Sequence, residues 1–256
     1  MNKDTLRQIL VVIATVATIV VNLLANALPI NGLNTGEISD SFNVYFVPAG
    51  YVFSIWGLIY IALIAYSVYQ VLPAQRSSPY LRAIGYLYLV SCAANIAWIF
   101  LWHYQVFVAT VPVMVLLLLA LIGIYLALGV GRERVEAALQ WLVHVPFSIY
   151  LGWITVATIA NITSALDYLN WGGWGIPAQT WAAIMIGIGA LVAIAVSLTR
   201  GDIAYIAVIV WAFVGIAAKF PTTMVVANAA WLGAGAAALS LAVGIPLRLQ
   251  RIRREE

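Results

Sequence analysis

The sequence predicts an all-α, polytopic membrane helix bundle of about eight transmembrane helices, and three observations carry that expectation. Of 256 residues, 64% are hydrophobic and 8% charged, against roughly 45–50% and about 25% in soluble proteins. Mean hydropathy is +1.02, and the apolar residues fall in long runs separated by short polar breaks. The basic residues sit in those breaks and at the termini, so the net charge of +3 reads as membrane topology and not as nucleic-acid binding. The same composition excludes a secreted, cytosolic or disordered chain.

At about 1.5 Å of rise per residue, a hydrocarbon core of about 30 Å needs roughly 20 apolar residues. Eight segments qualify, near 6–29, 48–71, 80–102, 106–129, 141–163, 176–198, 203–219 and 224–246. The first follows Lys3 and Arg7, is too long for a signal h-region and has no small-residue cleavage site after it, so it is expected to stay. The second opens with Tyr51, Phe53, Trp56 and Tyr60; the third carries Asn95, Trp98, Trp102 and, at its end, His103. His144 falls near the start of the fifth, Asn161 near its end. The sixth and eighth are rich in small residues (Gly187, Gly189, Ala190; Gly233, Gly235, Ala236, Ala237, Ala238), which suits close helix packing or a homo-oligomer face. The seventh is the shortest, with Asp202 and Lys219 at its ends, where solvent or snorkelling satisfies them.

With the N-terminus inside, Lys3, Arg7, Arg76, Arg82, Arg132, Arg134, Arg200, Arg248, Arg251, Arg253 and Arg254 all fall on the inner side and only Lys219 outside. Cytoplasmic loops retain such residues, so both termini are expected in the cytoplasm of a cell (inner) membrane protein. The longest loop, 30–47, then lies outside with Glu37 and Asp40, as does the break DYLNWGGWG at 167–175, read as a tight turn with belt tryptophans.

No catalytic apparatus is visible. A charge at mid-membrane costs a few kcal/mol at least, and no span carries one at mid-depth, which speaks against pumps and coupled transporters. No Walker loop or HExxH pair occurs, and Cys92 has no partner for a disulfide. His103 and His144 lie toward opposite membrane faces, so they share no metal, and His103 reads as an interfacial belt residue. No metal site is expected, and no cofactor is required.

The uncharged polar groups say more, because an amide in lipid must find a helix, water or a ligand. Asn22 and Asn26 are four apart on one helix face; with Asn95, Asn161 and Asn228 they fall toward the outer leaflet, where Tyr51, Phe53, Trp56 and Trp98 also gather. That is the composition of a ligand pocket under a loop that could serve as its lid. The competing reading is interhelical glue plus an aromatic belt. Aromatics of the inner leaflet, such as Tyr66, Tyr69, Tyr86 and Trp141, come without a comparable set of asparagines.

Three motifs then invite comparison. Pro48–Tyr60 (PAGYVFSIWGLIY), Asn95 and Trp98 in ANIAW, and Pro146, Trp153 and Asn161 in PFSIYLGWITVATIAN resemble, in order, helices two, three and five of the translocator-protein family (TspO/MBR, the tryptophan-rich sensory proteins), here its longer subgroup. Ala49 stands where a second proline is usual and Tyr51 where a tryptophan is, and no basic residue follows Tyr168 as the sterol-recognition pattern of animal members requires. The resemblance covers about the first 170 residues and implies a five-helix unit at 1–170, with three further transmembrane helices and a basic tail at 171–256. It also implies a pocket for tetrapyrroles or other hydrophobic molecules, lined at the matching positions by Tyr51, Trp56, Asn95, Trp98, Trp153 and Asn161; Asn22, Asn26 and Phe53 join them by placement. The function so expected is binding, sensing or carriage of a flat hydrophobic molecule, most plausibly a porphyrin-type tetrapyrrole. The alternatives are a light-dependent porphyrin-degrading enzyme and an uncoupled small-solute transporter.

Overall fold

A computed structural model describes residues 2–28 and 30–255; position 29, the expected end of the first span, lies outside them. The helices are α1 (Lys3–Ala27), the short α2 (Thr35–Asp40), α3 (Ile55–Val71), α4 (Pro79–His103), α5 (Phe107–Ala127), α6 (Ala137–Tyr168), α7 (Ala178–Arg200), α8 (Ile203–Lys219) and α9 (Met224–Glu255). Among the described residues there is no strand. Seven helices are long and apolar enough to cross a membrane: α1, α3 with the 3₁₀ turn Gly50–Ser54 before it, α4, α5, α6, α7 and α9. The expected seventh span, α8, has 17 residues, about 25 Å, at the lower end of the range of about 17–25 residues with which a helix crosses a membrane.

Two elements outrun the sequence reading. Helix α9 passes Pro246 and carries the basic tail to Glu255. Its arginines give the reason: the Arg251 guanidinium donates to the carbonyls of Leu198, at 2.8 Å, and Thr199, which the end of α7 leaves without helical partners. Helix α6 starts earlier than expected and contains a π-helical turn at Gln140–His144, where the Val145 N–H reaches the Gln140 carbonyl five residues back. Pro146 explains the widening. It has no N–H to offer, and its ring would press on the carbonyl four residues earlier; a π turn relieves both conflicts without ending the helix.

Contacts divide the chain into two compact units, neither of them a continuous stretch. The first comprises 1–38, 55–129 and 135–151; the second 39–54, 130–134 and 152–256. This is a different partition from the 1–170 and 171–256 division read from the motifs.

In the first unit α1 packs on α3 and α4, and α4 on α5. Its centre is a triad of buried rings, Tyr66, Tyr88 and Phe147, with centroids 4.9–5.7 Å apart in edge-to-face arrangements. At one end, Gln8 donates to the Gln70 carbonyl at 2.6 Å and Gln70 returns a bond to the Gln8 carbonyl at 3.1 Å. The same end buries Arg7 against Gly85, with the Arg76 carbonyl and Asp4 as acceptors; Asp4 also pairs with Arg82. Buried amides therefore tie helices at the expected inner end too. The contrast drawn from asparagines alone overlooked glutamine.

In the second unit α9 packs on α7 and α8. Phe213 of α8 is fully buried, and any Cβ at Gly189 or Gly233 would come within 3.0–3.1 Å of its ring. Gly244 meets the Ser197 backbone, and Gly152 lets α6 approach the Tyr205 carbonyl of α8. The small-residue stripe is thus divided. Gly189, Gly233 and Ala237 pack, whereas Gly187, Gly235, Ala236 and Ala238 are exposed. Asp202 is buried and caps α8 by accepting from the N–H groups of Ala204 and Tyr205, a role that replaces the expected contact with solvent.

Candidate functional site

The nine expected site residues divide between the units. Within the first, Asn22 donates to Asn95 Oδ1 at 2.6 Å and to the Thr18 carbonyl at 2.9 Å, and Asn95 donates to the Tyr150 hydroxyl at 3.1 Å. Asn22, Asn95 and Tyr150 are all buried. Trp56 stacks on Tyr60 at 5.6 Å and meets the Tyr150 ring edge-on at 6.0 Å; Trp98 stacks on Trp102 at 5.2 Å. Asn26 is exposed and donates back to the Asn22 carbonyl. The asparagines on α1 and α4 are therefore joined to each other and to a tyrosine, which is what amide glue looks like.

His103 is a clasp and not a belt residue. It is 1% exposed. Its Nδ1 lies 3.1 Å from the Ile30 carbonyl, which can only accept, so Nδ1 donates; Nε2 lies 3.0 Å from the Thr35 hydroxyl. Trp102 Nε1 donates to the Thr35 carbonyl, and Asn31 to that of His103. These bonds fasten the chain after α1 to the end of α4.

Within the second unit, Tyr51 is half-exposed and meets Trp211 edge-on at 5.4 Å, Phe53 meets Trp153 at 5.8 Å, and Asn161 is buried. The segment before α3 lies directly on α8: the Ala49 N–H donates to the Gly215 carbonyl, Trp211 donates to the Val52 carbonyl, and a Cβ at Gly215 would run into Val52. Lys219 pairs with Asp40 at 2.5 Å, so the loop carries the counter-ion of the one basic residue expected outside.

The same unit contains a cavity of about 410 Å³. One wall is the loop, with Tyr45 and Phe46; another is a face of α6 running through Thr163 to Asp167; the third is the turn and start of α7, with Trp171 and Trp181. The volume lies in the range of small-molecule sites, about 300–1,000 Å³. Asp167 Oδ2 accepts the Asn43 N–H at 3.1 Å, and Gln179 donates to the Tyr45 hydroxyl at 3.3 Å, so loop, α6 and α7 are stitched around it. None of the nine expected residues lines it. The sequence held a signal all the same: Ile159, Ile162, Thr163 and Leu166 fall at helical spacing on the cavity face of α6, leading into the DYLNWGGWG segment that reads as a mere turn.

That turn is held in a costly shape. Gly173, Trp174 and Gly175 all have positive φ, at +60°, +53° and +78°. The glycines adopt it freely, but a bulky residue such as Trp174 costs roughly 1–2 kcal/mol there. The indoles of Trp171, Trp174 and Trp181 cluster with centroids 5.3–5.8 Å apart, and Trp181 Nε1 donates to the Gly173 carbonyl at 2.8 Å. Among the described residues no group of three or more His, Cys, Asp or Glu side chains is placed to hold a metal ion.

A family model described as TSPO-like protein matches residues 8–243, nearly the whole chain. The chain belongs to the TSPO-like family. The match passes residue 170, where the motif resemblance stopped, and takes in α7, α8 and most of α9. No curated protein and no solved structure gives a match. With the apolar helices, the family makes this TSPO-like chain a multi-pass membrane protein in contact with the lipid bilayer.

Proposed function

We propose that this TSPO-like protein binds a flat hydrophobic small molecule as a sensor or carrier, without catalysing a reaction on it, and that the cavity of the second unit holds the ligand. The supporting observation is the cavity: about 410 Å³, apolar over most of its wall, with aromatic faces from Tyr45, Phe46, Trp171 and Trp181 and a few polar groups among them. Flat rings stack well on such faces, and the polar groups orient what they hold. A porphyrin-type tetrapyrrole is the ligand class that the family resemblance implies. In this reading both termini are cytoplasmic and the cavity opens toward the outer face.

Titration of the purified protein with protoporphyrin, read from the pigment's own absorbance, tests the reading. Thr163→Phe places a ring in the cavity without removing the Trp181 bond to Gly173, and is expected to weaken binding at least about tenfold; Trp56→Ala with Asn95→Ala is expected to change it little. The reverse pattern would move the site to the family-matched positions of the first unit. Absence of binding by the wild-type chain would remove the tetrapyrrole.

A further inference from the structure

We infer that the tryptophan-walled cavity selects a hydrophobic organic cation, such as an aryl-substituted ammonium, with Asp167 as the counter-charge. This rests on the reading of that cavity as a ligand site.

Charge comes first. Among the described residues that line the cavity, Asp167 is the one acidic side chain, and no Lys, Arg or His accompanies it. An anionic group on the wall of a partly open, largely apolar cavity favours a ligand of opposite sign, because the apolar walls reduce screening by water and salt around the bound guest.

The position of Asp167 within its helix is the second observation. It stands next to the last residue of α6, whose final turn has no basic residue. The C-terminal end of a helix already carries partial negative charge from its unpaired carbonyls, so a carboxylate there opposes the helix dipole. Its described bond, from the Asn43 N–H, satisfies one oxygen and leaves the net charge in place. A bound cation would neutralise both the carboxylate and the helix end. Local helix stability does not account for an acid at this point, and the bond to the Asn43 N–H needs only an oxygen, which an asparagine would supply as well; a charged guest uses the charge itself.

The walls are the third. Trp171 and Trp181 line the cavity, and with Tyr45 they supply electron-rich faces to which cations are attracted when water is excluded. Trp174 completes the indole cluster at the strained turn. Strain of this kind persists where a shape is held for a purpose.

The test uses two probes of one shape, (naphthylmethyl)trimethylammonium and its uncharged isostere neopentylnaphthalene, in which a carbon replaces the quaternary nitrogen. Binding to the full chain in phosphatidylcholine nanodiscs is read by competition for tryptophan quenching, neutral lipid preventing the membrane from concentrating the cation. The wild-type protein is expected to bind the cation at least about tenfold more tightly than the isostere. In Asp167→Asn, which keeps an oxygen for the Asn43 N–H, the two affinities should fall within about twofold of each other with the isostere's unchanged; Asp167→Glu should keep the preference. Equal binding of the two probes by wild-type protein would overturn the inference and leave the cavity reading intact, as would a preference that survives Asp167→Asn. If neither probe binds, the inference fails, and the protoporphyrin titration with Thr163→Phe decides the cavity reading on its own. The wild-type comparison decides the matter even if a variant does not fold.

Discussion

The amide pair between α1 and α4 gives a measurable coupling. Asn95→Ala removes two side-chain bonds, to Asn22 at 2.6 Å and to the Tyr150 hydroxyl at 3.1 Å. Interhelical hydrogen bonds inside membrane proteins average about 0.6 kcal/mol and reach about 1.7, so the expected loss is about 1–3 kcal/mol. Asn22→Ala removes the shared bond and that to the Thr18 carbonyl, which lies within its own helix. The double variant should therefore lose less than the sum of the singles by about 0.5–2 kcal/mol, the worth of the shared bond. Reversible unfolding in mixed micelles, followed by tryptophan fluorescence, measures all four species. A coupling below about 0.3 kcal/mol, within the error of additivity, would refute the argument that these amides bind the first unit together and would free them for another role.

Gly131 has φ at +76°, and a Cβ there would collide with the Arg200 carbonyl; Gly131→Ala should cost at least about 1 kcal/mol from the backbone alone and lower the melting temperature, whereas Gly172→Ala, with nothing within 4 Å, should be nearly silent. Lys219→Met breaks the pair with Asp40, worth only about 0.2–1 kcal/mol at such exposure, and should show as faster amide exchange over residues 39–46 more than as lost global stability. His103→Ala removes the bonds to Ile30 and Thr35 and should speed exchange over 30–38 with helical circular dichroism unchanged. Lys3→Cys and Arg253→Cys should both react with a membrane-impermeant maleimide only from the cytoplasmic side, against a silent background from buried Cys92; labelling from opposite sides would require an odd number of spans.

The spans were legible because lipid imposes one rule on every residue: the α8 boundaries, Ile203 and Lys219, follow from hydropathy and from Asp202 and Lys219 at either end. The helical tail beyond Pro246 was not, since its stability comes from arginines reaching carbonyls of another helix some fifty residues away. His103 looked like a belt residue because its partners, Ile30 and Thr35, lie about seventy positions earlier. The cavity was hidden for the same reason. Asn43 meets Asp167 across 124 positions and Tyr45 meets Gln179 across 134, and no local pattern announces such pairings. Trp171 and Trp181 were visible as residues; that they wall a space follows only from where the loop is tied.

The widened turn at Gln140–His144 leaves α6 with one amino acid more than an ideal coil of that length would hold. Elsewhere in a buried helix, dropping a single position swings everything downstream by about 100° and scrambles its neighbours. Here the surplus can be surrendered by tightening the loop of backbone to ordinary pitch, and residues beyond it keep their bearings. A one-codon deletion, ruinous at most points of such a protein, costs here only what the wide turn spares, the conflict of about 3 kcal/mol between Pro146 and an ordinary helical turn.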